Sequence, residues 1–558
     1  MKYLFATVAR CGLGTALCGL AGSFTAVAQA PAYQRIDHFR CSGSVNSVAI
    51  TQLVIDATGN YYVGGLLDAP TRYPLVVRIG SAGDSLNLGT TSGMGTARIF
   101  VAKLSAAGRL MWGAATNSVA SGLTGLALDP SGNVTIVGQF SGSINVGSTY
   151  LSNDTHAPFR EGFVARLNAA GQWQWAKRAG GTSGSQHIAE GVAVDATGNI
   201  AVLATAHDTP FDPASGTTPG TVRTAFVVQF DAAGQLVRAT PVAAPAGARG
   251  RSIARTPAGD LLLTGSFNSP SAQFGTMTLT GQGGKDIFVA KLNATGQWLW
   301  ATGAGGSGQD EGTAIACNAA GAVAVAGTIE GATTLGNGGP HDVVVAGIDD
   351  VTGQWLGNYP TNSPDAVATA IAVAPNGSAQ VTYNADVAAA FLTQTLPNLG
   401  GSDGYVGSLY PTGSTPAPWA LAIGATGNDN LRAVASPVVG LTLVAGTFEG
   451  ASLTIGSQTL TNPGGTDAFV AHLTTPLGLA PDAGAEPGVE LWPNPAHDVV
   501  HFIFPSVTAK APPARIIDAL GRTVRMFPIT SGRVTISGLP AGLYSVQCGA
   551  KARRFAVE

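Results

Sequence analysis

A pattern that recurs seven times along the chain constrains the fold more than any other feature. Its first anchor is a short apolar segment such as Phe163-Val164-Ala165-Arg166-Leu167. The seven copies are centred on Phe100, Phe163, Phe226, Phe288, Val344, Tyr405 and Phe469, in steps of 56 to 64 residues. Such a period indicates one supersecondary unit repeated in space, so the repeat is interpreted before any single motif.

The second anchor of the repeat is a tight turn of the form Asp-x-x-Gly, as at Asp56, Asp129 and Asp195, with more divergent copies at Gly259, Gly321, Gly377 and Gly440. In five repeats another glycine follows six residues later: Gly65, Gly138, Gly265, Gly327 and Gly446. The Asp carboxylate accepts local backbone hydrogen bonds and the glycine adopts positive φ. We therefore expect these Asp residues to cap turns, although each alone could suggest a calcium ligand.

Each repeat reads as four antiparallel strands. The first is short and rich in small residues, the second follows the Asp turn, the third is the Phe-Val-Ala segment, and the fourth carries tryptophan. Four-stranded units repeated around an axis form propeller blades, with small residues near the axis and bulky ones outside. A two-sheet sandwich would also bury alternating strands, but seven even repeats favour an all-β, seven-bladed β-propeller.

The two ends of the repeat region are complementary. The last repeat has no fourth strand after Leu473, while Arg35 to Gly43 occupies the place held elsewhere by Trp175 to Gly181. Open sheet edges promote aggregation, and closing the ring removes them. The sequence thus predicts that Arg35–Arg40 pairs with Phe469–Leu473.

These repeats resemble the seven-bladed β-propeller repeat family of bacterial exported proteins. The resemblance is carried by the Phe-Val-Ala-Lys-Leu strand, the Gly-x-Trp-x-Trp that follows it and the Asp-x-x-Gly-Asn turn, and it extends from Tyr33 to Thr475. It implies the fold and very little about activity.

The N-terminus has the pattern of a secretory signal peptide. Lys2 and Arg10 precede an apolar run that ends in Ala26-Val27-Ala28, so we expect residues 1–28 to be removed after Ala28. Cleavage after Ala30 would place Pro31 next to the cut, and a membrane anchor is disfavoured by the short, glycine-interrupted run. No later segment has ~18 uninterrupted apolar residues, so the mature chain is expected to have no transmembrane segment.

The C-terminal region differs in charge from the repeats. Between Gln29 and Thr475, 19 basic and 26 acidic residues give −7, whereas Val489 to Glu558 has 8 basic and 4 acidic residues, giving +4. We expect residues 29–475 to be the propeller, 476–488 an exposed linker and 489–558 a small Ig-like β-sandwich. Neither part has the basic face with stacking aromatics that nucleic-acid binding requires.

Residues 489–558 resemble the type A sorting domain of type IX secretion. The matching positions are Pro493, Asn494, Pro495, Asp518, Gly521, Arg522, Gly538, Leu539, Pro540, Gly542 and Tyr544. The resemblance implies Sec export through the periplasm, capture by an outer-membrane translocon and removal of the domain by a sortase. It also implies release, or attachment to anionic surface glycolipid. An ordinary Ig-like module is the alternative.

Catalytic, cofactor and metal motifs are not found in the sequence, and Cys41, Cys317 and Cys548 have neither metal nor disulfide spacing. We therefore predict a protein that is not an enzyme and needs no metal or cofactor.

Charged residues gather where each outer strand crosses to the next blade, and loops on rigid scaffolds often carry function. The candidate ligand-binding residues are His187, Glu190, Arg249, Arg251, Asp310, Glu311, Asp365 and Asp429. Solvated loop charges are the simpler interpretation. We predict a surface or secreted propeller that binds a glycan or protein, with a polysaccharide hydrolase or lyase as the alternative.

Overall fold

The computed structural model describes most of the chain between residues 31 and 557. The described ranges are 31–41, 47–69, 74–79, 84–90, 96–116, 120–152, 160–179, 187–206, 224–268, 270–337, 339, 341–361, 363–392, 394–410, 418–474, 490–492, 496–503, 514–518, 523–528, 533–540, 542–548 and 551–557. All regular elements in these ranges are β-strands, and the chain divides into two compact units between Thr475 and Pro476.

The first unit contains strands β1 to β40. In the N-terminal part they are β1 Ala32–Cys41, β2 Ser47–Ile55, β3 Tyr61–Ala69, β4 Pro74–Ile79, β5 Asp84–Thr90, β6 Thr96–Leu104, β7 Leu110–Ala115, β8 Ala120–Leu128, β9 Val134–Ser141, β10 Ser143–Val146, β11 Thr149–Ser152, β12 Arg160–Leu167 and β13 Trp173–Arg178. In the middle they are β14 His187–Val194, β15 Ile200–Ala206, β16 Thr224–Phe230, β17 Leu236–Pro241, β18 Ala248–Arg255, β19 Leu261–Asn268, β20 Ser271–Phe274, β21 Met277–Thr280, β22 Lys285–Leu292 and β23 Trp298–Ala304.

The remaining strands of this unit are β24 Glu311–Cys317, β25 Val323–Ile329, β26 Ala332–Thr333, β27 Gly336–Asn337, β28 Asp342–Ile348, β29 Trp355–Pro360, β30 Ala366–Val373, β31 Ala379–Ala385, β32 Ala389–Phe391, β33 Gln394–Leu396, β34 Asp403–Leu409, β35 Trp419–Ile423, β36 Asn430–Val438, β37 Leu441–Phe448, β38 Ser452–Ile455, β39 Gln458–Thr461 and β40 Asp467–Thr474.

These strands build propeller blades. Six sheets of four antiparallel strands have the orders β2-β3-β6-β7, β8-β9-β12-β13, β14-β15-β16-β17, β18-β19-β22-β23, β24-β25-β28-β29 and β30-β31-β34-β35. A seventh sheet, β36-β37-β40-β1, is extended by the hairpin β4-β5. The first strand of each sheet contacts the first strands of the two neighbouring sheets, and these contacts form a closed ring of β2, β8, β14, β18, β24, β30 and β36. The prediction of an all-β propeller made of four-stranded blades is confirmed.

The core lies between the blades. Seven apolar clusters occupy the seven spaces between neighbouring sheets, and each mixes residues of two blades. Between the first two blades, for example, Tyr62 and Val101 pack with Ile136 and Phe163. Outer-strand tryptophans also bridge the blades, because the Trp112 indole N–H donates to the Ala169 carbonyl of the next blade at 3.0 Å.

Strand β1 closes the ring. It pairs antiparallel with β40, placing Arg35 opposite His472 and Phe39 opposite Ala468. The pairing expected from the missing fourth strand is therefore present in the structure. Asp37 lies in the middle of this junction and is 3% exposed.

The repeat motifs have local structural roles. The Asp129 carboxylate accepts the backbone N–H groups of Ser131 and Asn133 at 2.9 Å, and Gly132 has φ +79°, so the predicted turn capping is confirmed. Asp129 is also paired with Arg166 at 2.5 Å. Lys103 pairs in the same way with Asp56 at 3.4 Å. Lys291 pairs at 3.3 Å with Asp260, which occupies the place of Asn60 in its repeat, so the basic residue near the end of the third strand again contacts the turn of its own blade.

The second unit is a small β-structure of seven short strands. They are β41 Glu490–Trp492, β42 Val499–Ile503, β43 Ala514–Asp518, β44 Thr523–Phe527, β45 Arg533–Thr535, β46 Gly542–Cys548 and β47 Lys551–Val557. They form the sheets β41-β42-β45 and β44-β43-β46-β47. Val500, Ile516, Val534 and Val546 are buried in one core that both sheets share.

Candidate functional site

Every inner strand of the propeller contains a β-bulge at or before its middle. At this place in each strand the register against the second strand shifts across a single residue, which has no partner in the ladder. These seven residues, which we name the bulge ring, are Thr51, Thr124, Glu190, Arg251, Thr313, Thr369 and Arg432. Because a bulge re-aims a side chain, it can turn a residue toward the axis without breaking the sheet.

Glycine in the second strand makes room for the bulge. A Cβ atom built on Gly65 would lie 1.8 Å from the Ala49 carbonyl oxygen, and one on Gly265 would lie 2.0 Å from that of Arg249. Both contacts are with backbone, which cannot move aside as a flexible side chain can. The glycine that recurs six residues after the turn thus supports the bulge on the neighbouring strand.

The bulge ring encloses a cavity on the propeller axis. All seven ring residues line a space of about 580 Å³, and six of them, with Gln52, also line an adjoining space of about 470 Å³ farther along the axis. The larger space is also lined by Lys285, Gln309 and His341. It therefore lies toward the face where outer strands cross to the next blade, which we name the crossing face. Both volumes are within the range of about 300–1,000 Å³ that is typical of small-molecule sites.

The ring threonines are anchored through their hydroxyl groups. Thr51 donates to the Leu123 carbonyl at 3.2 Å and Thr124 to the Ala189 carbonyl at 2.5 Å, each on the next blade. Thr313 and Thr369 donate to carbonyls within their own blades at 3.1 and 3.0 Å. Since each hydroxyl has one proton, these oxygens offer only lone pairs to the cavity.

Two ion pairs join neighbouring blades at the ring. Glu190 accepts from Arg249 Nε at 2.8 Å, and Glu311 accepts from Arg251 Nε and Nη2 at 2.8 and 2.6 Å. Burial by itself would raise the pKa of Glu311, but the hydrogen bonds and charge of Arg251 hold that pKa below its ordinary value. The Glu311 carboxylate is therefore ionised near neutral pH and balances the charge of Arg251 beside it.

Arg432 is the exception in the ring. Its side chain is exposed to the cavity. The surrounding protein atoms partly remove water from the guanidinium and so lower its pKa, but the group stays protonated. Among the described residues it makes no ion pair, in contrast to Arg251. The ring consequently carries one positive charge that no neighbouring carboxylate neutralises.

The structure divides the eight residues proposed as a ligand site. Glu190 and Arg251 belong to the bulge ring, while Arg249 and Glu311 support it. The view of these four as loop residues is wrong, because all lie within inner strands. Reversing the charge of Arg249 or Arg251 would break an ion pair between neighbouring blades, so we expect such a variant to be less stable than wild type.

The other four proposed residues lie outside the ring. Asp310 and Asp429 are buried and accept the backbone N–H groups of Glu330 and Glu449 at 2.8 and 3.3 Å, so they hold crossing loops together. His187 is also buried, with Nδ1 3.5 Å from Glu161 Oε2. Asp365 is exposed and has φ 58°. The expectation of surface charge is wrong for the three buried residues.

Asp429 gives the propeller a distinctive pH response. Its burial, with the charges of Asp403 and Glu449, raises its pKa from 3.8 to about 6, against the hydrogen bonds it accepts. The folded state therefore binds more protons than the unfolded state between these values, so this residue's contribution to stability is lost as pH rises. Wild type should therefore lose stability relative to Asp429→Asn when the pH is raised from 4 to 7. Urea unfolding at the two pH values should show that the difference in unfolding free energy shifts by about 2 kcal/mol in favour of the variant.

The control for this measurement is Asp349→Asn. Asp349 lies at an exposed turn, where hydrogen bonds from Thr352 lower the pKa of its carboxyl group. It should therefore be ionised throughout the interval, and its variant should run parallel to wild type. Parallel curves for the Asp429 variant as well would contradict the raised pKa.

Two sets of positions were missed in the sequence. Each residue of the bulge ring lies five positions before the first residue of the tight turn in its repeat, as Thr51 does before Asp56. The residue is polar in all seven repeats, within a strand that otherwise has small, apolar residues. The first residue of several third strands is a buried Asp, as at Asp342, whose carboxylate accepts the Ser363 N–H at 2.9 Å. Aligning the repeats column by column would have revealed both.

Neither a metal cluster nor a membrane helix occurs in the described part of the chain. There, no group of three His, Cys, Asp or Glu side chains is placed to hold a metal ion. Likewise, no helix in the described ranges has the length and hydrophobicity needed to cross a bilayer.

The second unit has a recognisable relationship to a known family. Residues 490–556 match the secretion system C-terminal sorting domain. In this sorting domain Tyr544 is buried and donates its hydroxyl to the Pro540 carbonyl at 2.9 Å, and Gly538 has φ +85°. Leu539 and Gly542 lie in the same segment, and Asp518 ends β43, whereas Pro493, Asn494, Pro495, Gly521 and Arg522 are outside the described residues, as is Ala28.

The sorting domain indicates export, with secretion or attachment at the cell surface, and it implies contact with the secretion machinery. No curated protein matches the chain in sequence.

Solved structures similar to this chain include propellers. The Neurospora crassa Pan2 WD40 domain has 10% identity and a TM-score of 0.38, covering 79% of this chain and 96% of that one. The Dos1 propeller has 10% identity and a TM-score of 0.39, covering 78% and 96%. YCF48 bound to D1 peptide has 9% identity and a TM-score of 0.36, covering 79% and 97%.

Proposed function

We propose that this protein is an exported, noncatalytic binding propeller that holds its ligand at the bulge ring. The observation that carries the proposal is the ring itself: seven blades each direct one unpaired strand residue into the same axial cavity. A ring that all blades supply has a rigid backbone, because the residues on both sides of each bulge are paired in a sheet. Preorganised groups of this kind favour binding, since little conformational entropy is lost when the ligand arrives.

The state of the carboxylates supports binding over hydrolysis. A glycosidase of the usual kind needs one carboxylic acid that can give a proton, and Glu311 instead has a lowered pKa beside Arg251. Glu190 is engaged by Arg249 at 2.8 Å. Both charges therefore serve to hold blades together around the cavity.

The sorting domain supports an export route that ends outside the cell. We propose that the chain enters the periplasm through Sec with residues 1–28 as signal peptide, and that the type IX translocon then moves it across the outer membrane. A sortase would remove the sorting domain near 476–488 and release the propeller or join it to anionic surface glycolipid. The ligand would then be extracellular, as a glycan or a protein is.

Blocking the ring should abolish binding. Purified chain is screened against polysaccharides and surface proteins, and Thr313→Trp is expected to weaken capture of the ligand found by at least about tenfold, because the indole fills the cavity. Gln174→Trp, on the exposed side of an outer strand, is the control and should bind normally. Thermal unfolding of both variants monitors folding.

Each result of this screen has a defined meaning. Equal binding by wild type and Thr313→Trp would place the ligand elsewhere and refute the ring as its site. Release of shorter sugars by wild type, lost in Glu190→Gln, would establish the hydrolase or lyase alternative.

A further inference from the structure

The unpaired charge in the bulge ring indicates what the ligand carries. The two ion pairs of the ring are internally neutral, so Arg432 contributes a net charge of +1 to the cavity. A planar guanidinium with several free N–H donors is suited to a carboxylate, which it binds through two parallel hydrogen bonds. Lys285, which lines the larger space near Glu311, adds a second positive charge, so a ligand with at least one carboxylate complements the cavity.

The rest of the ring requires a ligand rich in donors. The four threonine hydroxyls have already given their protons to backbone carbonyls at 2.5 to 3.2 Å. Gln52 likewise donates its amide to the Thr124 carbonyl at 3.1 Å, which leaves its oxygen as an acceptor. The threonine oxygens and the Gln52 oxygen therefore present acceptors to the cavity, and a polyol with several O–H groups is complementary to them.

The size and lining of the cavity further limit the class of ligand. The larger space, of about 580 Å³, suits a small molecule or the end of a polysaccharide chain, and the second space, of about 470 Å³, continues along the axis. Apolar inner-strand residues such as Leu53 and Ile315 line that second space. A sugar ring has apolar faces and a polar rim, so it matches a wall in which apolar surface alternates with acceptors.

We propose that the bulge ring binds a carboxylate-bearing sugar, with its carboxylate on Arg432 and its hydroxyl groups on the threonine and glutamine oxygens. The inference rests on the proposed function, since it names the ligand of the same cavity. The sugar acid is either free or the terminal residue of an acidic polysaccharide. Both sources present the same chemistry to the ring.

The test compares a sugar acid with its neutral counterpart. Galacturonate and galactose have the same ring and differ in a carboxylate against a hydroxymethyl group, so titration calorimetry of the full chain with each isolates the charge. Galacturonate should bind, galactose should bind at least about tenfold more weakly, and Arg432→Gln should reduce galacturonate binding to the level of galactose. Trigalacturonate distinguishes the sources, because tighter binding than the monomer indicates a chain end.

Two further variants keep the result interpretable. Arg432→Lys retains the charge without the planar fork and should restore part of the lost affinity. Arg238→Gln, on outer strand β17 and away from the cavity, should bind galacturonate as wild type does. Thermal unfolding confirms that all three variants are folded.

The outcomes separate this inference from the proposed function. No binding of galacturonate or trigalacturonate by wild type, or binding that survives Arg432→Gln, overturns the inference. If a neutral glycan or a protein from the screen is instead lost in Thr313→Trp and unaffected by Arg432→Gln, the ring remains the ligand site and only its assignment to sugar acids is wrong. An acidic peptide that binds through Arg432, where the sugar acids do not, also overturns it.

Discussion

Asp37→Ala should lower the free energy of unfolding of the propeller by about 3–5 kcal/mol, the usual cost of removing one partner from a buried charged cluster. The Asp37 carboxylate accepts from the Tyr61 hydroxyl at 2.5 Å and contacts His472 Nε2 at 3.0 Å, and Arg35 lies 3.0 Å away. Burial alone would raise the pKa of Asp37, but these partners lower it, so the ionised form is the stable one. Alanine would leave three polar groups without their acceptor at the closure of the ring.

The matched control for this experiment is on the same strand. Gln34 is exposed at the irregular step of β1, between Tyr33 and Arg35, and Gln34→Ala should change the stability little. Urea unfolding followed by tryptophan fluorescence measures both variants. A loss for Asp37→Ala no greater than that for Gln34→Ala would contradict the view that this cluster holds the ring closed.

Deleting residues 476–558 should retain the propeller inside the cell envelope. The deletion removes the sorting domain, which begins at residue 490, and leaves the compact first unit intact. We expect export to the surface or the medium to fall from nearly all of the protein to almost none, as measured by fractionation and surface protease accessibility. The retained protein should resist proteolysis as the full chain does, since β1 and β40 still pair.

The converse fusion makes the deletion result specific. Residues 476–558 joined to an unrelated periplasmic reporter should carry that reporter to the surface. In wild type, mass spectrometry of the surface form should find an N-terminus near Gln29 and a C-terminus within 476–488. Stoichiometric recovery of peptides from 489–558 on the mature protein would count against removal of the domain.

The fold could be predicted from sequence because its signals are local. A turn such as Asp129 to Asn133 is specified by its own side chain and glycine, and a third strand such as Phe163–Leu167 by its own apolar run. Seven copies reinforce one another, so weak local signals add up. Even the closure by β1 followed from counting which strand was missing.

The site was harder to predict because it depends on register and burial. The polarity of Thr313 is visible in the sequence, but its position facing the axis depends on a bulge against β25, which arises only when the strands pair. Asp310 resembled a surface charge because it follows a segment rich in glycine and serine, yet the crossing loop folds around its carboxylate, which accepts the Gly306 N–H at 2.8 Å. The signal for such positions lies in the comparison of the seven repeats and is not visible in any one of them.

The bulges have a consequence for how the axial cavity could change its lining. A bulged residue has no partner in the strand ladder, so its side chain can vary without altering the backbone hydrogen bonds that define the blade. This chain already places threonine, glutamate and arginine at equivalent positions in different blades. The chemistry of the axial cavity can therefore evolve, or be engineered, one blade at a time while the architecture is conserved.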